Sequence, residues 1–399
     1  MTQSTTFPQL GVSAVVADAL AARGITAPFP IQVLVMEDAL AGRDVLAKSK
    51  TGSGKTLAFA LPIVERLTPG AGQRPQALVL VPTRELASQV VREFDDVARA
   101  KNMKVAAAYG GVSIREQATA IRTADILVAT PGRLDDLCDR GQVRLSGIRI
   151  LILDEADRML DMGFEPQVAA IVRRIPKERQ TMFFSATLEG AVGQLASRYT
   201  NDAVFHEIVG VKATVDEAGH RFIPVTDHGK VDALIELLLA EPGLALVFVR
   251  TKRGADRLAM KLKQKGLSVA AMHGDLSQQQ RERTLAKFTS GKLSTLIATD
   301  VAARGLDVEN IAHVINYDPP ADDNGYVHRV GRTARAGATG MGVTLVTPSQ
   351  QGDVSRMAAR LQLGAEFEAE GMVVAPPRLV FTSKGRRAGM QRHRPRRKF

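Results

Sequence analysis

Two short runs of this chain hold the residue types that could do chemistry. In Thr51-Gly52-Ser53-Gly54-Lys55-Thr56 the glycines let successive backbone N–H groups turn inward around phosphate oxygens, at the positive end of a following helix. Lys55 can then reach the outer phosphates, and the Thr56 hydroxyl can coordinate Mg2+. Ser49 stands where the general phosphate-loop pattern has glycine, so this run alone is an imperfect match. The second run is Ile150-Leu151-Ile152-Leu153-Asp154-Glu155-Ala156-Asp157. Its four branched apolar residues suit a strand buried on both faces. Stability explains poorly why such a strand ends in carboxylates, which are costly at a core edge without partners. Asp154 is placed to hold Mg2+, and Glu155 to orient or deprotonate an attacking water. Together the runs imply binding and hydrolysis of a nucleoside triphosphate.

Such residues need a scaffold, and the chain alternates short apolar strands with helical stretches, the pattern of parallel α/β architecture. In the first half the strands fall at 44–47, 77–81, 105–109, 126–129, 150–153 and 181–184, with a helix over 57–67 after the phosphate loop. In the second half they fall at 245–249, 269–272, 295–298, 313–317 and 342–346, with no second Gly-Lys-Thr loop. Between the halves the rhythm lapses from Val209 to Val225. These features divide the chain into a domain over 1–208, a linker over 209–222, a domain over 223–365 and a tail over 366–399. Pro82-Thr83-Arg84-Glu85-Leu86, Gly110-Gly111, Thr130-Pro131-Gly132-Arg133, Asp154–Asp157 and Ser185-Ala186-Thr187 each follow a strand's C-terminal end, where α/β sheets bind ligands. Any one could be a simple turn. Their shared placement, with N–H groups, hydroxyls and arginines, suits a phosphodiester backbone.

Composition sets outer bounds. The 399 residues have room for two or three domains, and 45% hydrophobic with 24% charged content is that of a globular protein. No apolar run approaches the ~20 residues that span a bilayer, and Met1 to Phe7 lacks the regions of a secretory signal. Cys138 is the only cysteine, which excludes an internal disulfide and points to the cytoplasm. The net charge of +11 is uneven: Lys384, Arg386, Arg387, Arg392, Arg394, Arg396, Arg397 and Lys398 share the last stretch with no acid. A near-neutral body with such a tail suggests an unfolded arm for polyanions, nucleic acid first; a solubilising terminus is the alternative.

With these motifs in order, the chain resembles the DEAD-box ATP-dependent RNA helicases from about Phe7 to about Thr347. The likeness also rests on Gly24-Ile25-Thr26-Ala27-Pro28-Phe29-Pro30-Ile31-Gln32, on Gln280-Arg281-Glu282-Arg283, and on Thr299-Asp300-Val301-Ala302-Ala303-Arg304-Gly305-Leu306-Asp307. Tyr326-Val327-His328-Arg329-Val330-Gly331-Arg332-Thr333-Ala334-Arg335 completes it. The resemblance implies two tandem RecA-like domains facing across a cleft, with ATP and Mg2+ as cofactors. It implies that Gln32 reads adenine and that Phe7 stacks on the base; a staple in a small terminal core is the other reading of Phe7. Gly52, Ser53, Gly54, Lys55 and Thr56 would cradle phosphate, Asp307 would touch the ribose, and Arg332 and Arg335 would be arginine fingers. Asp157, Ser185, Thr187 and His328 would link the nucleotide site to the domain interface. RNA would lie along Thr83, Arg84, Gly111, Thr130, Arg133, Thr251, Gly274 and Thr299.

The implied activity is local separation of short RNA duplexes by a monomer with no membrane partner. Two other readings are an ATP-gated RNA clamp, and a DNA helicase or nucleotide switch. Ser49-Lys50 departs from the Ala-Gln more usual in the family, and the extension after Leu363 shows no zinc spacing or RNA-recognition signature.

Overall fold

The computed structural model describes residues 5–49, 53–208, 218–303, 308, 310–333 and 340–374. Among these, thirteen strands form two sheets, and every pairing is parallel. The first sheet holds β1 (Val45–Lys48), β2 (Ala77–Leu80), β3 (Val105–Ala108), β4 (Ile126–Ala129), β5 (Ile150–Asp154), β6 (Gln180–Ser185) and β7 (Val204–Glu207), in the order β3-β4-β2-β5-β6-β1-β7. The second holds β8 (Ala218–Pro224), β9 (Leu244–Phe248), β10 (Val269–Met272), β11 (Thr295–Ala298), β12 (Ile311–Asn316) and β13 (Gly340–Val346), in the order β10-β11-β9-β12-β13-β8.

Central strands are apolar at every position because helices cover both faces. Side chains alternate along each strand. Val79, Val128 and Ile152 therefore join one core with Phe59, Val90 and Phe94. Leu78, Leu127 and Leu151 join another with Leu134, Ile171 and Leu195. The helix Lys55–Arg66 is anchored through Phe59, which meets Phe184 of β6 edge-on at 5.2 Å between centroids. In the second sheet Val247, Ile297 and Ile315 face one layer while Leu246, Leu296 and Val314 face the other. Because all strands run the same way, the turns after β1 to β6 reach a single sheet edge.

Every strand expected from the sequence is present, with ends shifted by at most two residues. Two strands were not expected, β7 and β8. Both are edge strands with only partial burial, so their sequences mix polar and apolar residues. β8 corrects the linker: residues 218–222 pair with β13 and belong to the second domain. Phe222 of β8 meets Phe367 edge-on at 5.3 Å. That contact also corrects the start of the tail, because Phe367 and Met372 are buried in the second domain's core beyond the expected limit at 365. The basic tail lies outside the described residues.

Candidate nucleotide and nucleic-acid site at the interdomain cleft

β1 delivers the chain to the phosphate loop, and Gly54 caps the helix Lys55–Arg66 with φ +86°, a conformation that favours glycine. A Cβ on Gly54 would come within 2.7 Å of Gln32 Nε2 and 2.9 Å of a Phe29 ring carbon. The adenine-reading segment and the phosphate loop are thus in close contact. Gln32 Nε2 donates to the Gly54 carbonyl at 2.9 Å, and Gln32 Oε1 accepts from the Phe29 N–H at 2.9 Å. Lys55 Nζ donates to the Ser49 carbonyl at 2.8 Å, while the Ser53 hydroxyl donates to Ser49 Oγ at 3.1 Å. Ser49, the departure from the glycine pattern, shapes the loop with both its backbone and its side chain.

Phe7 is 2% exposed and lies in the same apolar core as Val12, Val16 and Leu20, and Gln32 is likewise fully buried. The terminal-staple reading is the one its surroundings match.

β5 carries Asp154 and Glu155 to the same edge, with Asp154 Oδ1 accepting the Glu155 N–H at 3.0 Å. Glu155 has φ +52°, a left-handed backbone that a non-glycine residue adopts at a cost of about 1–3 kcal/mol. It is held there by Arg158, whose Nη1 donates to Glu155 Oε2 at 2.7 Å with both side chains buried. Burial pushes the Asp154 carboxyl up to about 7, with Glu155 adding to the rise and Lys55 opposing it. Glu155 lies below the usual carboxylate range: burial opposes its charge, but Arg158, Lys55, Arg332 and His328 together outweigh that. The last two belong to the second domain.

Asp157, Ser185 and Thr187 come together as a linked group. The Asp157 N–H donates to Ser185 Oγ at 3.3 Å, and Asp157 Oδ2 accepts from the Thr187 N–H at 3.3 Å and its hydroxyl at 3.4 Å. His328 faces this group across the cleft. Burial lowers it to about 4, Arg158 and Arg332 act in the same direction, and Asp157 and Glu155 act against them. Arg158, Asp161, His328 and Arg332 line part of a cavity of about 320 Å³ between the domains. Thr56 follows Lys55 in the first turn of the helix, and Arg332 is almost fully buried.

Among the residues expected to meet nucleic acid, Thr83 and Thr251 cap helices that start directly after β2 of the first sheet and β9 of the second. Their hydroxyls accept from Leu86 N–H at 3.2 Å and Gly254 N–H at 3.0 Å. Thr130 caps a third helix, Pro131–Asp139, without a side-chain bond. Two helix N-termini therefore end on the first sheet's edge and one on the second's, each a ready site for phosphate. Arg84 lies over Gly110 and Gly111, and Gly111 has φ +84°, a conformation that favours glycine. Burial, and then Arg281, lower the pKa of Arg84. Arg133 donates to the Val112 carbonyl and to Gln117 Oε1, bracing the Gly110-Gly111 turn. In the second domain Gly274 lies against Lys252, and Thr299 is buried at the end of β11.

Three residues escaped the sequence reading. Arg158 is one. Arg329 is another, gripping Asp300 through two bonds at 2.6 and 2.7 Å and donating also to Asn316 Oδ1 and the Asp318 carbonyl. The third is Glu85, which pairs with Arg281 of the second domain at 2.9 Å. Its signal was the conjunction of an acid and an arginine in two motifs that face each other only after folding. Lys50, Gly52, Asp307 and Arg335 lie outside the described residues.

Two parallel α/β domains, with a phosphate loop and paired carboxylates on one and Arg332 facing them from the other, define a two-domain nucleoside triphosphatase. A family model described as DEAD/DEAH box helicase matches residues 29–195, and one described as helicase conserved C-terminal domain matches 229–337. The DEAD-box ATP-dependent RNA helicase CshA of Geobacillus kaustophilus is 42% identical over 352 residues, covering 88% of this chain and 75% of the relative. The structure of S. cerevisiae Dbp5 bound to RNA and ADP BeF3 aligns with TM-score 0.80 at 32% identity, covering 90% of this chain and 94% of that one. Mss116p bound to ssRNA and AMP-PNP aligns with TM-score 0.81 at 26% identity, covering 94% and 79%. The chain belongs to the DEAD-box family of ATP-dependent RNA helicases, and its domains are RecA-like.

Proposed function

We propose that this chain hydrolyses ATP to ADP and phosphate and uses the cycle to separate short RNA duplexes locally. The observation that carries the reading is the cavity between the domains, where Arg158, bonded to Glu155 at 2.7 Å, meets Arg332 and His328 of the other domain. Hydrolysis is thereby conditional on closure. ATP and RNA that bind both domains favour the closed state, and phosphate loss reopens it.

In this reading Lys55 holds the outer phosphates, Glu155 orients the attacking water, and Arg332 with Arg335 neutralises charge that develops during transfer. Gln32 is fully buried in this structure and keeps one N–H and one lone pair beyond its present bonds, with which it would read the adenine edge once uncovered. Thr56 and Asp154 are hard oxygen donors of the kind Mg2+ takes, partly through water. A carboxyl raised by burial to about 7 fits a position that a cation completes. Mg2+ there would neutralise phosphate charge. Asp157, Ser185, Thr187 and His328 couple this site to closure. RNA lies along Thr83, Arg84, Gly111, Thr130, Arg133, Thr251, Gly274 and Thr299, with preference over DNA set by 2′-hydroxyl contacts. The domains meet between residues 208 and 218, and the chain works as a cytoplasmic monomer; among the described residues no helix is long and apolar enough to cross a membrane.

The test is unwinding of matched RNA and DNA duplexes beside the ATP turnover each stimulates. RNA-stimulated turnover with unwinding of the RNA duplex is expected. Turnover that RNA does not stimulate, or that DNA stimulates equally, would overturn the reading. ATP-dependent RNA retention without strand separation would favour the clamp.

A further inference from the structure

A basic cavity of about 610 Å³ opens at the other edge of the first sheet, where β1 and β6 begin; the phosphate loop lies where β1 ends. Arg173, Lys177, Arg179 and Arg198 line it, and Asp44 is the one acid among its described lining residues. Both Asp44 oxygens are already taken, accepting the Thr181 N–H at 2.6 Å and the Asn201 N–H at 2.7 Å. We infer that this cavity is a second RNA site, holding phosphates of a single strand that runs on beyond the interdomain cleft. The inference rests on the reading of the chain as an RNA-dependent enzyme and adds a surface to it.

Ordinary helix physics accounts for part of the charge. Arg173 caps the helix Glu165–Val172 and Arg198 lies in the last turn of Gly190–Tyr199, where cations complement the dipole. Lys177 and Arg179 have no such reason, because they come from the segment that leads into β6. Glu178, between them in sequence, does not line the cavity. Arg179 donates to the Pro176 carbonyl at 2.7 Å and the Tyr199 carbonyl at 3.4 Å, so neutral acceptors fix its guanidinium. Its Nε, and the hydroxyl of the buried Thr181, have no partner among the described residues. Buried donors without acceptors are costly, and a phosphate group carries acceptors of the kind both lack. Arg173 and Lys177 are exposed and pair with no acid among the described residues. Glu165 offsets Arg198 only loosely, at 3.5 Å in an exposed pair. Tyr199 adds a half-buried aromatic ring to the lining. An aromatic among arginines is the composition that holds single-stranded nucleic acid, stacking a base while cations follow the backbone. An acidic peptide would use the cations but has no need of the ring.

The test compares the full chain with the double variant Arg173→Gln, Lys177→Gln, whose thermal stability should match it. The basic tail is present in both, so its contribution cancels. On single-stranded RNA of about 40 nucleotides, loss of two phosphate contacts should lower the slope of log affinity against log salt by about 1.4. Affinity at about 0.1 M salt should fall on the order of tenfold. On RNA of about 10 nucleotides, within the site size of one groove, affinity with a non-hydrolysable ATP analogue should stay in place. That short-RNA affinity, with RNA-stimulated turnover, reports separately on the parent reading. Long RNA carrying 4-thiouridine should crosslink to residues 173–201, and short RNA should not. Equal salt slopes on the long RNA would overturn the site, as would equal losses on both lengths. Polyglutamate binding that the double variant loses, with RNA binding unmoved, would overturn it in favour of an acidic protein partner.

Discussion

Removing Arg281 tests whether closure is built into the cleft. Its guanidinium lies 2.9 Å from Glu85 of the other domain, an ion pair without hydrogen-bond alignment, and the two side chains are only 12% and 10% exposed. An exposed pair contributes at most about 1 kcal/mol, and breaking a fully buried one costs about 3–5 kcal/mol. This pair lies between those limits, so Arg281→Ala should destabilise the closed state by about 2 kcal/mol, roughly a 30-fold change. Opening separates the partners, so RNA affinity without nucleotide should hold steady. Affinity with a non-hydrolysable ATP analogue should fall by that factor. Two side effects accompany the change. Arg281 also lowers the pKa of Arg84, so its removal relieves a repulsion. Glu85 lies in the first turn of the helix Arg84–Ala100, where a carboxylate is favoured by the dipole. A double-mutant cycle with Glu85→Gln removes both, and the coupling should remain near 2 kcal/mol. Additivity within about 0.5 kcal/mol, or equal losses with and without nucleotide, would refute the reasoning.

Four further outcomes are expected. Glu155→Gln keeps the shape at β5 but removes the charge, so ATP turnover should fall roughly 10²–10⁴-fold while ATP-dependent RNA binding persists; near-normal turnover would free Glu155 of its role. Arg332→Ala should cut RNA-stimulated turnover on the order of 10³-fold or more with nucleotide binding retained, because Lys55 and Gln32 lie in the other domain. Deleting residues 384–399 removes eight cationic side chains and should reduce the slope of log RNA affinity against log salt by about 0.7 for each phosphate no longer engaged, roughly three to six phosphates in all, with turnover at saturating RNA unchanged. Closure buries His328 among Arg158, Arg332, Asp157 and Glu155 and lowers it to about 4 from an ordinary 6.5, so its contribution is whole above pH 6.5 and is lost as pH falls toward 4. RNA affinity with the ATP analogue should therefore drop about tenfold near pH 5.5, and His328→Gln should remove that component.

The sequence was most legible where one physical demand acted alone. A strand buried on both faces must be apolar throughout, so the central strands β2, β4 and β5 could be read from four letters each. The edge strands β7 and β8 meet a weaker demand, and the polar His220 and Arg221 made β8 resemble a linker. Phe7 shows the limit of spacing: its distance along the chain matched a platform, but only packing reveals that it is buried in the first domain's core. Arg158 and Arg329 were missed for a related reason. Each acts through a partner set by three-dimensional placement, Glu155 in one case and Asp300 in the other.

The buried carboxylates explain why this chemistry needs two domains. Asp154 and Glu155 are adjacent, almost fully buried, and cannot both be ionised without positive charge close by. The first domain supplies Lys55 and Arg158. Arg84, on the same sheet edge, lies instead over the Gly110-Gly111 turn. Arg332 arrives only from the second domain, and its presence helps hold Glu155 in the charged form that can orient water. Opening the cleft therefore withdraws a stabilising charge and admits solvent in the same motion. Closing restores both. Arg329, locked to Asp300, Asn316 and Asp318, ties the helix that carries His328 to β12 and to the segment after β11. A ligand that bridges the domains would then act on Glu155 without touching it.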